Sequence, residues 1–206
     1  ANFRWNHLFS DKLFSNLSVI YSDYYYGLEL DLVGFQWDSG IQNFNLKYDF
    51  KHYLSANTKL NYGVNNIYYR FNPGEIKPNR EDSGIVKDKL TDKYANEFAA
   101  YIDVEQNVST AFSIQYGMRW SRFDRLGQEV FYSYENNNPV AYDPAFDLYS
   151  EGTPNGQVQQ SRNSSIATFS NFEPRLGLSY VLNDRTSIKA SYNHMAQYLH
   201  LLSNTS

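Results

Sequence analysis

The sequence predicts an all-β chain, an antiparallel transmembrane β-barrel contributing about eight strands of a larger wall. Three observations predict it. Segments alternate apolar and polar side chains, as in residues 43–51, where Phe44, Leu46, Tyr48 and Phe50 oppose Asn43, Asn45, Lys47, Asp49 and Lys51. Short polar turns at 11–12, 55–57, 107–109 and 183–184 are interspersed with long polar stretches at 24–40, 73–92 and 125–168. Charges keep almost wholly to one face of each segment. Short turns at one end and long loops at the other are the plan of an outer-membrane barrel. An Arg or Lys on the lipid face would cost about 2–4 kcal/mol at the midplane, so the charged face is expected to be the lumen.

Eight strands follow in order: 2–8, 14–24, 41–51, 58–71, 93–106, 110–124, 169–182 and 186–198. The first opens on Phe3-Arg4-Trp5, already alternating. After three short turns the same plan returns, a Thr followed by alternating apolar residues with Tyr on the apolar face: Thr58 to Tyr62, Thr110 to Tyr116, Thr186 to Tyr192. Such a recurrence is what hairpin chemistry alone produces. In 97–105, Phe98, Ala100, Ile102 and Val104 oppose Glu97, Tyr101, Asp103 and Glu105; in 111–121, Phe112, Ile114, Tyr116, Met118 and Trp120 oppose Ser113, Gln115, Gly117, Arg119 and Ser121. Several of these segments match the roughly 9–11 residues that span a bilayer at a tilt.

Matching faces across the 107–109 turn pairs Val104 with Phe112, Ile102 with Ile114 and Phe98 with Met118. The same register sets Asp103 by Ser113, Tyr101 by Gln115 and Glu97 by Arg119, which predicts a lumenal Glu97–Arg119 contact. The same logic places Asp49 near Lys59.

Composition agrees. Aromatic residues make up 17%, with 19 Tyr and 14 Phe, yet the mean hydropathy is -0.60. That suits an outside in lipid, rims of Tyr and Trp, and a wet interior. No run approaches the roughly 18 apolar residues of a spanning helix. A net charge of -4 argues against a nucleic-acid partner. The absence of Cys removes disulfide frameworks and thiolate metal sites.

No nucleophile–base or paired-carboxylate signature stands out, so no enzyme activity is expected. His7, His52, His194 and His200 lack neighbouring carboxylates or Cys; they read as rim residues, and no metal or other cofactor is expected. Tyr24-Tyr25-Tyr26 and Tyr68-Tyr69-Arg70-Phe71 read as an aromatic girdle. The stretch 125–168 carries Phe131, Tyr132, Tyr134, Tyr142, Phe146 and Tyr149 among Asn, Asp, Gly and Pro. Tyr132, Tyr134, Tyr142 and Tyr149 are its candidate ligand contacts; packing across the barrel mouth is the competing role. Glu97, Arg119, Glu173 and Arg175 are the candidate lumen-facing residues, lining an entry path or pairing with one another.

The last third carries a pattern: Phe172-Glu173-Pro174-Arg175-Leu176-Gly177-Leu178-Ser179-Tyr180, then Asn183-Asp184-Arg185-Thr186-Ser187-Ile188-Lys189-Ala190-Ser191-Tyr192, then Gln197-Tyr198-Leu199-His200-Leu201-Leu202-Ser203-Asn204. It resembles the mid-barrel of TonB-dependent outer-membrane receptors, especially the SusC-like and carboxypeptidase-regulatory-like branch, over residues 172–206. The resemblance implies a 22-stranded barrel with an N-terminal plug in a Gram-negative outer membrane. Such a receptor imports a bulky nutrient (an oligosaccharide, a peptide or a metal chelate) on energy from the TonB complex, with outer-membrane lipid around it and room for a surface lipoprotein as partner. This chain shows no plug, and Leu201 to Ser206 reads as the start of another loop. Residues 1–206 are therefore expected to be a partial barrel domain. The rivals are a complete eight-stranded barrel with a structural or adhesive role and a soluble β-sandwich.

Overall fold

The computed structural model describes residues 1–127 and 130–199. Its strands are β1 (Asn2–Ser10), β2 (Leu13–Leu30), β3 (Phe35–Ser55), β4 (Thr58–Pro78), β5 (Asp88–Lys89), β6 (Lys93–Asn107), β7 (Phe112–Leu126), β8 (Val130–Ser133), β9 (Val140–Asp143), β10 (Leu148–Glu151), β11 (Gly156–Gln159), β12 (Ser165–Asn183) and β13 (Thr186–Asn193). No α-helix occurs among the described residues. The long strands form one antiparallel up-and-down sheet in the order β1-β2-β3-β4-β6-β7-β12-β13, with β5 appended to β4. Extended contacts join hydrogen-bonded neighbours only, so the described residues form a single layer. Among the described residues β1 and β13 do not pair with each other. The sheet is open, unlike a closed eight-stranded barrel.

Several strands outrun their expected ends. Residues 24–40 are not a loop: β2 and β3 stay paired from Leu13↔His52 up to Leu30↔Phe35. They reverse through a 3-10 turn at Asp31–Val33 that ends on Gly34 (φ 67). Beyond Tyr24 the alternation continues but changes sides, with Tyr26, Leu28, Leu30, Phe35 and Trp37 on one face and Glu29, Gln36 and Asp38 on the other. β4 likewise runs to Pro78 and carries a bulge, where Ser39 on β3 faces Pro73 and Gly74. Pro73 has no N–H to place in the ladder, which a bulge tolerates. At Gly74 the Trp37 indole lies 2.5 Å from where a Cβ would stand, so a side chain there would displace it. The stretch 125–168 is not an open loop either. β8 pairs with β11 and β9 with β10, nested as one two-stage ribbon that prolongs the β7–β12 hairpin. β13 ends at Asn193 rather than 198. His200 and residues 201–206 lie outside the described residues.

The β6–β7 register also differs from the matched one. Val104 faces Tyr116, Ile102 faces Met118, Tyr101 faces Arg119 and Glu97 faces Phe123. The cause is the turn: residues 108–111 stay out of the ladder, with the Val108 and Ser109 amides donating to Phe112 O and Ser109 Oγ accepting from the Phe112 amide. The displacement is four residues, an even number, so each side chain keeps its face.

The polarity of the sheet is inverted relative to a water-soluble domain. Buried groups include Ser18, Asp103, Ser121 and Glu173 on the polar face, whereas Phe44, Leu46, Ile102, Met118, Phe172, Ile188 and Tyr192 on the apolar face are all exposed.

Candidate functional site

β6, β7 and β12 lie side by side, and their polar faces bring together four of the sequence candidates. Arg119 stands directly opposite Glu173 in the ladder, with Nη1 3.2 Å from Glu173 Oε2. Its other terminal nitrogen leans along the sheet to Glu97, 3.3 Å from Oε1. Glu97 is also within reach of the Tyr69 hydroxyl at 3.4 Å. One guanidinium thus serves two carboxylates, and its planar fork makes that possible. Ser121 Oγ donates to Glu173 Oε1 at 2.5 Å and meets the Tyr198 hydroxyl at 2.7 Å. Asn171 Nδ2 donates to that hydroxyl at 2.9 Å.

The sequence places Tyr198 at the end of the last expected strand, 186–198. Instead the chain leaves the ladder after Asn193 and turns over the polar face, where the Tyr198 ring stacks on Phe123 at 5.4 Å. The His194 amide donates to Pro174 O at 3.0 Å and holds the departure point. No feature of the sequence announces this crossing.

Arg175 does not join the Arg119 cluster. Its Nε pairs with Asp103 Oδ1 at 2.5 Å, although Asp103 is two strands away. The strand between them presents Gly117, and Asp103 lies over it where a side chain would otherwise stand. The same device recurs on the other side of Asp103. Tyr101 on β6 donates to Asp49 Oδ1 on β3 at 2.6 Å, across Gly63 of β4. Lys47 pairs with Asp49 at 2.9 Å. The expected Asp49–Lys59 contact is absent: β3 and β4 run on to Ser55 and Thr58, which sets Asp49 opposite Gly63 and sends Lys59 to Glu105 at 2.5 Å. A belt of polar contacts therefore crosses the sheet from β3 to β12. Beside it, toward the short turns, lies a concavity of about 730 Å³ lined by Leu8, Phe14, Asn16, Asp49, Tyr53 and Tyr101.

The long-loop end holds a second set of charges. Asp38 pairs with Lys77 at 3.1 Å and accepts from Tyr25 and Gln36. The Tyr25 hydroxyl holds the Asp38 carboxyl below the usual carboxylate range, aided by Lys77. Glu75 is likewise lowered, first by Lys87 and then by Lys77. Arg70 pairs with Asp92 at 2.6 Å. The tyrosine runs do not form one girdle, because successive residues alternate faces. Tyr25 and Tyr68 lie on the apolar side; Tyr24, Tyr26, Tyr69 and Phe71 lie on the polar side, where the last two stack at 5.7 Å.

Of the loop aromatics, Tyr142 and Tyr149 face each other across β9 and β10, with ring centroids 4.8 Å apart. Tyr132 sits on β8 opposite Gln157, and Tyr134 precedes the 3-10 turn at Glu135–Asn137. Tyr132, Tyr142 and Tyr149 are exposed. Among the described residues no three His, Cys, Asp or Glu groups come together as a metal site.

No protein-family model and no curated protein matches the chain. Among solved structures it is similar to the Serratia marcescens hemophore receptor HasR, a double mutant in complex with its hemophore HasA and heme. The TM-score is 0.38 and the identity 9%, over 93% of this chain. The chain spans 32% of that receptor's length.

Proposed function

We propose that this chain is part of the wall of a TonB-dependent importer in a Gram-negative outer membrane, taking up a bulky nutrient such as an oligosaccharide, a peptide or a metal chelate. One observation carries the membrane half of the reading: across the middle of the sheet Asp103 and Glu173 are buried on one face while Phe44, Leu46, Ile102, Met118 and Phe172 are exposed on the other. In water each exposed apolar surface would forfeit about 25 cal/mol per Å². In lipid it forfeits nothing, and the ion pairs face an aqueous interior. The apolar stretch has the right height. It runs from Phe44 to Leu54 on β3 and from Phe112 to Trp120 on β7, near the ~9–11 residues a tilted spanning strand needs. Asp23, Arg70 and Arg122, the ionisable residues next along that face, lie beyond it toward the long loops. At the short-turn end Trp5, His7, Phe9, Phe50 and Tyr62 form a continuous ring stripe on the apolar face, as an interfacial belt would.

The importer half draws on the resemblance of residues 172–206 and on the open sheet, which suits a section of a wide barrel. In this reading residues 1–206 are a partial barrel domain. Its long hairpins capture cargo, with Tyr132, Tyr134, Tyr142 and Tyr149 as contacts; Glu97, Arg119, Glu173 and Arg175 face the lumen. A plug elsewhere in the receptor releases cargo inward when the TonB complex pulls. The role is transport and not catalysis.

Phase partitioning tests the first half: the folded chain is expected in the detergent phase of Triton X-114, and recovery in the aqueous phase would overturn it. Cargo uptake by cells bearing the complete receptor, with and without a proton-motive force, tests the second.

A further inference from the structure

The net charge of -4 is not spread over the chain. Between Leu126 and Ser161 there are five acidic residues, Glu129, Glu135, Asp143, Asp147 and Glu151, and no Lys, Arg or His. That stretch alone more than accounts for the total. Its described residues 130–159 are the nested ribbon β8–β11, which stands open to solvent: all but Phe131, Tyr134 and Gly152 are exposed. Its exposed side chains are unusually apolar for such an arm. Tyr142 and Tyr149 share one face with Val140 and Glu151, Leu148 shares the other with Asp143, and Phe146 at the tip is 79% exposed. Large apolar groups left in water on a lone ribbon mark an interaction surface.

The concavity beside the polar belt is not lined by the ribbon. The ribbon's carboxylates are strung along it rather than gathered, so they do not make a cation site. Both edges of each strand pair carry free backbone groups. Aromatic anchors, unpaired backbone edges and uncompensated negative charge are together complementary to an extended basic chain with apolar residues between its cations.

We infer that the ribbon of residues 130–159 docks a basic polypeptide, the partner or cargo that this receptor meets at its outer surface. The inference deepens the transport reading and rests on it for the ribbon's outward position. Glu151 and Asp143 steer and hold the partner's cations, while Tyr142, Tyr149 and Phe146 supply contact area.

The test uses the 206-residue chain in zwitterionic micelles and a labelled decapeptide of alternating Lys and Val, with fluorescence anisotropy as readout. The wild type binds this peptide and not its Glu–Val counterpart. Glu135→Gln, Asp143→Asn, Asp147→Asn and Glu151→Gln combined weaken binding about tenfold or more. Phe146→Ser with Tyr149→Ser weakens it about tenfold without changing net charge. All these positions are exposed, so the circular dichroism spectrum stays that of the wild type. Undiminished binding by the neutralised chain would overturn the inference, and so would indifference to the aromatic substitutions, which would leave ion exchange alone. A chain that enters micelles yet ignores the peptide sinks only the docking ribbon. A chain that needs no detergent sinks the membrane reading itself.

Discussion

Tyr101 and Asp49 are two strands apart, yet the tyrosine hydroxyl donates to the carboxylate at 2.6 Å because the intervening residue is Gly63. A Cβ on Gly63 would stand 2.5 Å from the carbonyl oxygen of Tyr48 and 3.0 Å from Asp49 Oδ1. The first is backbone and cannot swing aside. Gly63→Ala is therefore expected to destabilise the sheet by about 1–3 kcal/mol, the range for overpacking a tight site. Tyr101→Phe keeps the ring and removes only the bond, at about 1–2 kcal/mol. Urea unfolding in detergent gives both values. The double variant should cost less than the sum if the glycine's purpose is to admit that bond.

Polarity inversion makes Ile102 diagnostic. Its side chain is 50% exposed, so a soluble protein would tolerate Ile102→Arg within about 0.5 kcal/mol. Against lipid the same change is expected to cost about 2–4 kcal/mol, and Ile114→Arg likewise. Gln115→Arg, on the polar face, is the matched control. The fraction showing heat-modifiable migration after refolding reads the difference; equal yields would remove the lipid from that face.

What the sequence revealed and concealed follows from one physical difference. Where one face meets an apolar medium, alternation is enforced, and residues 43–51, 97–105 and 111–121 show it. Above Tyr24 and Phe71 the alternation changes sides, Leu28, Phe35, Trp37 and Ile76 falling on the face that carries Asp49 and Arg119 lower down, so a strand followed by constant parity ends where the swap begins. Face assignment survived for the same reason that register did not. Polarity matching is satisfied equally by any even slip, so Glu97 could be assigned to the face of Arg119 but not to its true neighbour Phe123. The Glu97–Arg119 contact forms regardless, because a long guanidinium reaches diagonally. The skipped-strand pairs had a readable trace: Gly63 and Gly117 interrupt otherwise full polar faces, and each marks a place where another side chain lies down.

Arg119 is the only cation within reach of both Glu97 and Glu173 among the described residues. Glu173 is 4% exposed, so removing the guanidinium strands a buried carboxylate beside a second one. Arg119→Leu is expected to cost about 3 kcal/mol, the low end for breaking a buried pair because Arg119 itself is partly exposed. Adding Glu173→Leu should recover a large share of that loss, since the uncompensated charge goes with it. Guanidinium chloride midpoints of the two variants in detergent check the order; a double variant no better than the single one would place the cost in packing.

At the base of the docking ribbon Asp124 ties three neighbours together. Arg122 pairs with it at 2.8 Å, and the hydroxyls of Thr168 and Ser165 donate to it at 2.6 and 2.9 Å. The Arg122 hydrogen bond lowers its carboxyl to about 2, from an ordinary 3.8. A depressed value means that the unfolded or locally opened chain takes up the proton first on acidification. The anchoring is thus complete above about pH 4 and drains as the pH falls toward 2, with no change expected between pH 5 and 7. Amide exchange at Thr168 and Phe169 should rise across that acid window when compared at matched intrinsic rates. Asp124→Asn should show the raised exchange at every pH and abolish the step. A step that persists in Asp124→Asn would assign the titration to another carboxylate and leave the ribbon's base held by its backbone pairing alone.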